Sequence, residues 1–215
     1  MNSGPVIIVL AAGLGSRFQD AGHKLSQPLG TSSVLGATLA RAMGSQLPLI
    51  VVTTEALVAE AARHVARQDI VVLEAVSARA VEGRGDLRAV NARLGMGASI
   101  AAGVSARSNA AGWLVLPGDM PLLQSATLQQ VAAALREHPV AYAQFHGRRG
   151  HPVGFSAELY SELIHLQGDE GARRLVSRYP AQAVDVDDSG VLVDVDTVAD
   201  LKQVRALWAR TAVAR

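Results

Sequence analysis

Val6-Ile7-Ile8-Val9-Leu10-Ala11-Ala12-Gly13-Leu14-Gly15-Ser16-Arg17 is the stretch that decides the fold. Its first five residues form an unbroken apolar run, four of them β-branched, and the run ends in small residues and a glycine. Such a run reads as a strand buried on both faces, the kind that parallel sheets use. Working outward, residues 49–53, 70–73 and 113–116 repeat the pattern, and residues 34–43, 56–67 and 99–106 between them read as helices. Strands alternating with helices predict a mostly parallel sheet covered on both sides. Further along, 128–136 reads as a helix, 140–143 as a strand, and 152–155 as a strand less clearly parallel to the rest. Residues 159–166 and 172–178 read as helices, 191–195 as a strand and 198–207 as the closing helix. No repeat or linker interrupts the pattern, so residues 1–215 are expected to form one α/β domain. Residues 14–32 and 75–94 fit neither period, and loops that long are often functional.

Composition narrows the possible functions. The net charge is +1, too small for a one-sign field that would draw nucleic acid or a membrane surface. The chain has no cysteine, which removes disulfides, thiolate metal sites, iron–sulfur clusters and a cysteine nucleophile. No apolar run is long enough to span a bilayer, and the start lacks the basic flank of a signal peptide. A soluble, cytoplasmic protein is expected.

In parallel α/β sheets, ligands bind beyond the carboxyl ends of the strands. The loop after the first strand carries Gly13 and Gly15, with Ser16, Arg17 and, further on, Lys24. Closely spaced glycines let backbone N–H groups approach an anion, and the two cations add fixed charge, which together would cradle a triphosphate. The plainer alternative is a tight turn followed by surface cations. A dinucleotide fingerprint is excluded because Phe18 stands where its third glycine belongs, and the Walker-type phosphate loop is absent. Asp119 follows the apolar run 113–116 through Pro117 and Gly118, where a carboxylate is placed to hold magnesium, unless it merely caps the next helix. Asp194 and Asp196 alternate on what reads as a strand end and so share one face, and one of them would complete the ion site. The competing reading has Asp196 or Thr197 capping the last helix, with Asp200 in its first turn. Gly95 and Ser99 open a helix that would approach a base or ribose, or would simply start the helix.

The motifs taken together resemble those of the MobA-like nucleotidyltransferases of the molybdenum cofactor, in particular the cytidylyltransferase branch. Leu10-Ala11-Ala12-Gly13-x-Gly15-x-Arg17 with Lys24 is similar to the family's signature loop, although Phe18 replaces a methionine and the spacer before Lys24 is longer. The segment from Asn91 to Gly103, the Gly118-Asp119-Met120-Pro121 turn, Gly150-His151-Pro152-Val153, the segment from Gly168 to Arg173, and Asp194-Val195-Asp196-Thr197 are similar to further family motifs in the same order. The resemblance implies a three-layer αβα sandwich of the nucleotide-diphospho-sugar transferase type, its sheet mostly parallel with one antiparallel strand. It implies transfer of CMP from CTP to the molybdopterin-type molybdenum cofactor, with Arg17, Lys24 and Asp119 catalytic. The nucleotide would be held by residues 10–13, Gly15, Ser16, Arg17, Lys24, Gly95, Ser99 and Gly118, and Mg2+ by Asp119 with Asp196, Asp194 being the other candidate. The acceptor would be held by His151, Pro152, Asp169 and Arg173. Ala12, where the guanylyl branch carries glycine, implies a cytosine base. A molybdenum hydroxylase client is an implied partner. The alternatives are guanylyl transfer, a different phosphorylated acceptor, and a non-catalytic cofactor chaperone.

Overall fold

A computed structural model of the chain describes residues 4–13, 18, 22–73, 95–168 and 171–213, the last three without their side chains. Seven strands form one sheet in the order β5-β4-β1-β6-β8-β7-β9. They are β1 (Val6–Ala11), β4 (Leu49–Thr54), β5 (Ile70–Leu73), β6 (Gly112–Pro117), β7 (Val140–Phe145), β8 (Arg148–Ser156) and β9 (Ala181–Asp185). Strands β2 (Pro28–Leu29) and β3 (Ser32–Ser33) pair in a separate small hairpin. β1 pairs in parallel with β4 and β6, β4 with β5, and β7 with β9. Only β8 runs against its neighbours, antiparallel to both β6 and β7. The expected mostly parallel sheet with one reversed strand is therefore present.

The helices are α1 (Val34–Gly44), α2 (Glu55–Ala61), α3 (Met96–Ala106), α4 (Ser125–Ala134), α5 (Tyr160–Leu163), α6 (Arg173–Arg178) and α7 (Val198–Val213). Alternation along β1 shows how they form two outer layers. Ile7, Val9 and Ala11 enter one core cluster with α1, α4 and α7, while Val6 and Ile8 enter another with α3 and α6. β4 and β6 divide in the same way, Val51, Leu114 and Leu116 to the first side and Ile50, Val52, Trp113 and Val115 to the second. Each such side chain, fully buried, contributes about 1.5–3 kcal/mol, so the central strands anchor both layers. No helix among the described residues is long and apolar enough to cross a membrane.

Three expectations are corrected. The helix expected over 56–67 stops at Ala61, and the chain reaches β5 through turns and a short 3-10 helix at Arg67–Asp69. Residues 191–195 are not a strand. The buried Val191 lies in a 3-10 helix, Ser189–Leu192, and the chain then runs extended through Val195. An unanticipated strand, β9, takes the edge of the sheet instead. The closing helix also runs further than expected, to Val213.

Candidate functional site

The site lies at the carboxyl ends of the two adjacent central strands β1 and β6. Gly13 follows β1, and Gly118 and Asp119 follow β6. Gly118 N–H donates to the Leu10 carbonyl at 2.8 Å. A β-carbon at Gly118 would lie 2.9 Å from that oxygen, so only glycine lets the two strand ends close on each other. Asp119 emerges 9% exposed. It is not a helix cap. The N-terminus of α4 is capped instead by Asp188, which accepts from Gln124 N–H at 2.8 Å and from the Thr127 hydroxyl at 2.7 Å. Ser125, the first residue of α4, donates its hydroxyl to the Arg41 carbonyl.

The C-terminal segment returns to this point. Val195 N–H donates to the Asp119 carbonyl at 3.0 Å. Thr197 and Asp200 exchange hydrogen bonds across the first turn of α7, so the capping role falls to Thr197 and not to Asp196. Asp119, Asp194 and Asp196 each offer an oxygen, and these oxygens lie within 4.8 Å of one another. Three carboxylates that close repel by about 3 kcal/mol per pair before solvent screening, which is substantial at Asp196. Burial pushes the Asp194 carboxyl above its usual range, and the neighbouring Asp119 and Asp196 add to the effect.

Lys24 answers this charge. Its ammonium donates to Asp119 Oδ2 at 2.6 Å and to Asp196 Oδ1 at 2.8 Å. Burial alone would lower its pKa, but Asp119 and Asp196 outweigh that and hold it above the ordinary lysine value. The longer spacer still delivers Lys24 because His23 pins the preceding turn. The His23 Nδ1 accepts from Leu25 N–H at 3.2 Å and its Nε2 lies 3.0 Å from the Gly13 carbonyl. With Nδ1 accepting, Nε2 carries the proton and donates to Gly13. Asp119 Oδ1 is buried and has no hydrogen-bond partner among the described residues. An unpartnered carboxylate oxygen facing two further carboxylates is the donor set of a hard divalent cation, so these residues fit a magnesium-type ion.

Because β8 is reversed, its first residues lie at the same edge of the sheet. His151 and Pro152 begin the stretch that runs beside the end of β6. A cavity of about 540 Å³ opens there between β6, β8, α3 and α6, with Ile100, Val153 and Phe155 among its apolar walls and Arg149, His151 and Arg173 as its polar groups. His151 and Arg173 thus meet in one cavity, and Arg149 joins them. Burial and the Arg149 guanidinium hold the His151 imidazole down at about 4, Asp194 opposing and Arg173 assisting. Below the unfolded value of 6.5 the unfolded chain takes up a proton that the folded site refuses until about pH 4. Stability should therefore fall as pH drops through that window, with His151 contributing about 2–3 kcal/mol of the loss by about pH 4.5. Urea unfolding at neutral pH and near pH 4.5 checks this. His151→Gln should lose less than the natural chain, and equal losses would show an unperturbed imidazole.

Other sequence candidates belong to β1 and α3 or lie outside the described residues. Ser99 is 4% exposed and its hydroxyl donates to the Gly95 carbonyl, which engages it in the first turn of α3. Ala12 is 2% exposed, and Leu10 and Ala11 form the end of β1. Gly15, Ser16, Arg17 and Asp169 lie outside the described residues. Sequence reading missed His23, Arg149 and Asp188. The signal for Asp188 was an aspartate two residues before Gly190, an acidic turn before a buried run; for Arg149 it was a cation immediately before Gly150-His151.

Known proteins share both sequence and fold with this chain. Residues 7–184 match the profile of the MobA-like NTP transferase domain. Purine catabolism protein PucB of Bacillus subtilis (strain 168) is 31% identical over 204 residues, which are 92% of this chain and 94% of that protein. The crystal structure of Rv0371c from Mycobacterium tuberculosis H37Rv is 28% identical with a TM-score of 0.76, over 94% of this chain and 98% of that one. A crystal structure of Rv0371C in complex with manganese, from the same organism, is 27% identical with a TM-score of 0.69, over 96% of this chain and 100% of that one. With a profile match over most of its length and a relative that aligns nearly end to end, the chain belongs to the MobA-like NTP transferase domain family.

Proposed function

We propose that this chain is a cytidylyltransferase that moves CMP from CTP to the phosphate of a molybdopterin-type cofactor and releases pyrophosphate. The observation that carries this reading is the meeting of Lys24, Asp119, Asp194 and Asp196 beside the glycine turn after β1. The motif resemblance supports the choice of acceptor, and the manganese complex of a relative supports a divalent ion.

The acceptor phosphate is already ionised near neutral pH, so no general base is needed. One of its oxygens attacks the α-phosphorus in line, the bond from that phosphorus to the bridging oxygen breaks, and pyrophosphate leaves with the electron pair. Asp119 and Asp196, with Asp194 beside them, would hold Mg2+. A divalent ion bound there supplies positive charge against the negative charge gathering on the phosphates. Arg17, Lys24 and the backbone amides of Gly13, Gly15 and Ser16 would stabilise the triphosphate and its leaving group. Leu10, Ala11, Gly95 and Gly118 would shape the nucleotide side, Ser99 acting through the first turn of its helix. His151, Pro152, Asp169 and Arg173 would bind the acceptor, and the neutral imidazole of His151 suits a heterocycle better than a charged one would.

Pyrophosphate release measured with CTP, GTP, ATP and UTP, with and without molybdopterin cofactor, tests the reading. Turnover should need the cofactor and favour CTP. Nucleotide binding without turnover would make the chain a chaperone, and turnover with a different acceptor would reassign the substrate. Ala12 supports the cytosine preference. Its buried methyl would act through the position of the adjoining backbone, not by projecting into an open pocket. Ala12→Gly should narrow the preference for CTP over GTP by about tenfold or more. An unchanged ratio would locate base selection elsewhere.

A further inference from the structure

We propose that Lys24 is the resident counter-cation of the carboxylate cluster, and that binding of a divalent metal exchanges its ammonium off Asp119 and Asp196. The freed amine is then available to the triphosphate. This rests on the reading above that the cluster holds a metal ion.

Geometry makes the two cations rivals. The cluster's oxygens lie within 4.8 Å of one another, and the ammonium already takes Asp119 Oδ2 at 2.6 Å and Asp196 Oδ1 at 2.8 Å. The Lys24 side chain is 15% exposed, so it sits within the site and not at its rim. A metal ion needs the lone pairs that the ammonium uses. Among the buried oxygens of the described site, Asp119 Oδ1 has no hydrogen-bond partner.

The choice of residue points the same way. The whole chain has 18 arginines and 2 lysines, Lys24 and Lys202. A chain that writes nearly all its positive charge as arginine uses lysine at this position. An ammonium is compact, bonds through three rotatable protons and occupies a point, whereas a guanidinium is a planar fork. Only the former can stand where an ion would. The backbone under it is fixed, since His23 ties the turn to Gly13 and to Leu25 N–H. Exchange therefore requires only rotation of a flexible four-carbon stem.

Because the chain has 2 lysines, amine acetylation followed by peptide mass spectrometry reads Lys24 with Lys202, exposed on α7, as an internal control. In the natural chain, Lys24 should react slowly without metal and about fivefold faster once Mn2+ saturates the site, since it loses both carboxylate partners. Adding CTP with Mn2+ should slow it again, while Lys202 stays constant throughout. In parallel, Mn2+ titration followed by electron paramagnetic resonance should give about tenfold tighter binding to Lys24→Met than to the natural chain. Mn2+ binding with no change in Lys24 reactivity, or with equal affinity in Lys24→Met, would overturn the exchange and leave the metal site standing. Failure of both proteins to bind Mn2+ would remove the metal site and the exchange together.

Discussion

Asp119→Asn is expected to lower pyrophosphate release by about two orders of magnitude or more while the protein still folds. The size follows from position. Asp119 is the buried member of the three-carboxylate cluster and the one whose second oxygen has no protein partner. Asparagine keeps the shape but removes the charge and replaces one acceptor with a donor. Folding should survive because the substitution relieves repulsion from Asp194 and Asp196, and Lys24 keeps its bond to Asp196. The backbone bond from Val195 N–H to residue 119 is untouched. Pyrophosphate release and a thermal melt on the same preparation separate the two effects. Retained turnover would remove Asp119 from the chemistry, and an unfolded variant would make it a structural residue.

The second large effect is expected at a buried carboxylate outside the cluster. Asp188 is 3% exposed and accepts from Gln124 N–H, the Thr127 hydroxyl and, at 2.9 Å, Gly190 N–H. Asp188→Ala leaves three donors unpaired, two of them in the interior, at a cost of about 3 kcal/mol. For a chain of this length that is a fall in melting temperature of roughly 6–12 °C. The same residue ties the segment carrying Asp194 and Asp196 to the helix that follows Asp119. Gly190 packs so closely on the Leu122 carbonyl that no side chain fits between them. Loosening this junction should therefore lower turnover as well as stability. Asp188→Asn, which can keep one acceptor, should lose less of both. A melting temperature within a degree or two of the natural one for the alanine variant would show that the cap is dispensable.

The parts of this architecture that could be read in advance are those with a strong period. β1, β4 and β6 are buried on both faces, so their sequences are continuous apolar runs, and α1 follows from its helical spacing. The reversed direction of β8 was expected only from the resemblance, because periodicity carries no sense of direction. β9 escaped because it is a partly exposed edge strand whose residues, Ala181 to Asp185, lack a buried stripe. The opposite error occurred at 191–195, where Val191 and Val195 are fully buried but reach the core from a 3-10 turn and a following stretch that joins no strand of the sheet. In the site, Lys24, Asp119 and Asp196 were legible as charged residues after strands or in a motif. Whether Asp194 or Asp196 stood nearer could not be read, and both belong to the cluster. His23 and Asp188 act through hydrogen bonds within turns and between segments, and such contacts leave no periodic trace.

The bond from Lys24 to Asp196 joins residues 172 positions apart. A chain cut before residue 194 keeps Lys24 and Asp119 but lacks both Asp194 and Asp196. Such a chain holds one of the three carboxylates, however well its central strands have already collapsed. The complete cluster therefore depends on the 194–196 segment closing back onto the end of β6, where Val195 N–H meets the Asp119 carbonyl.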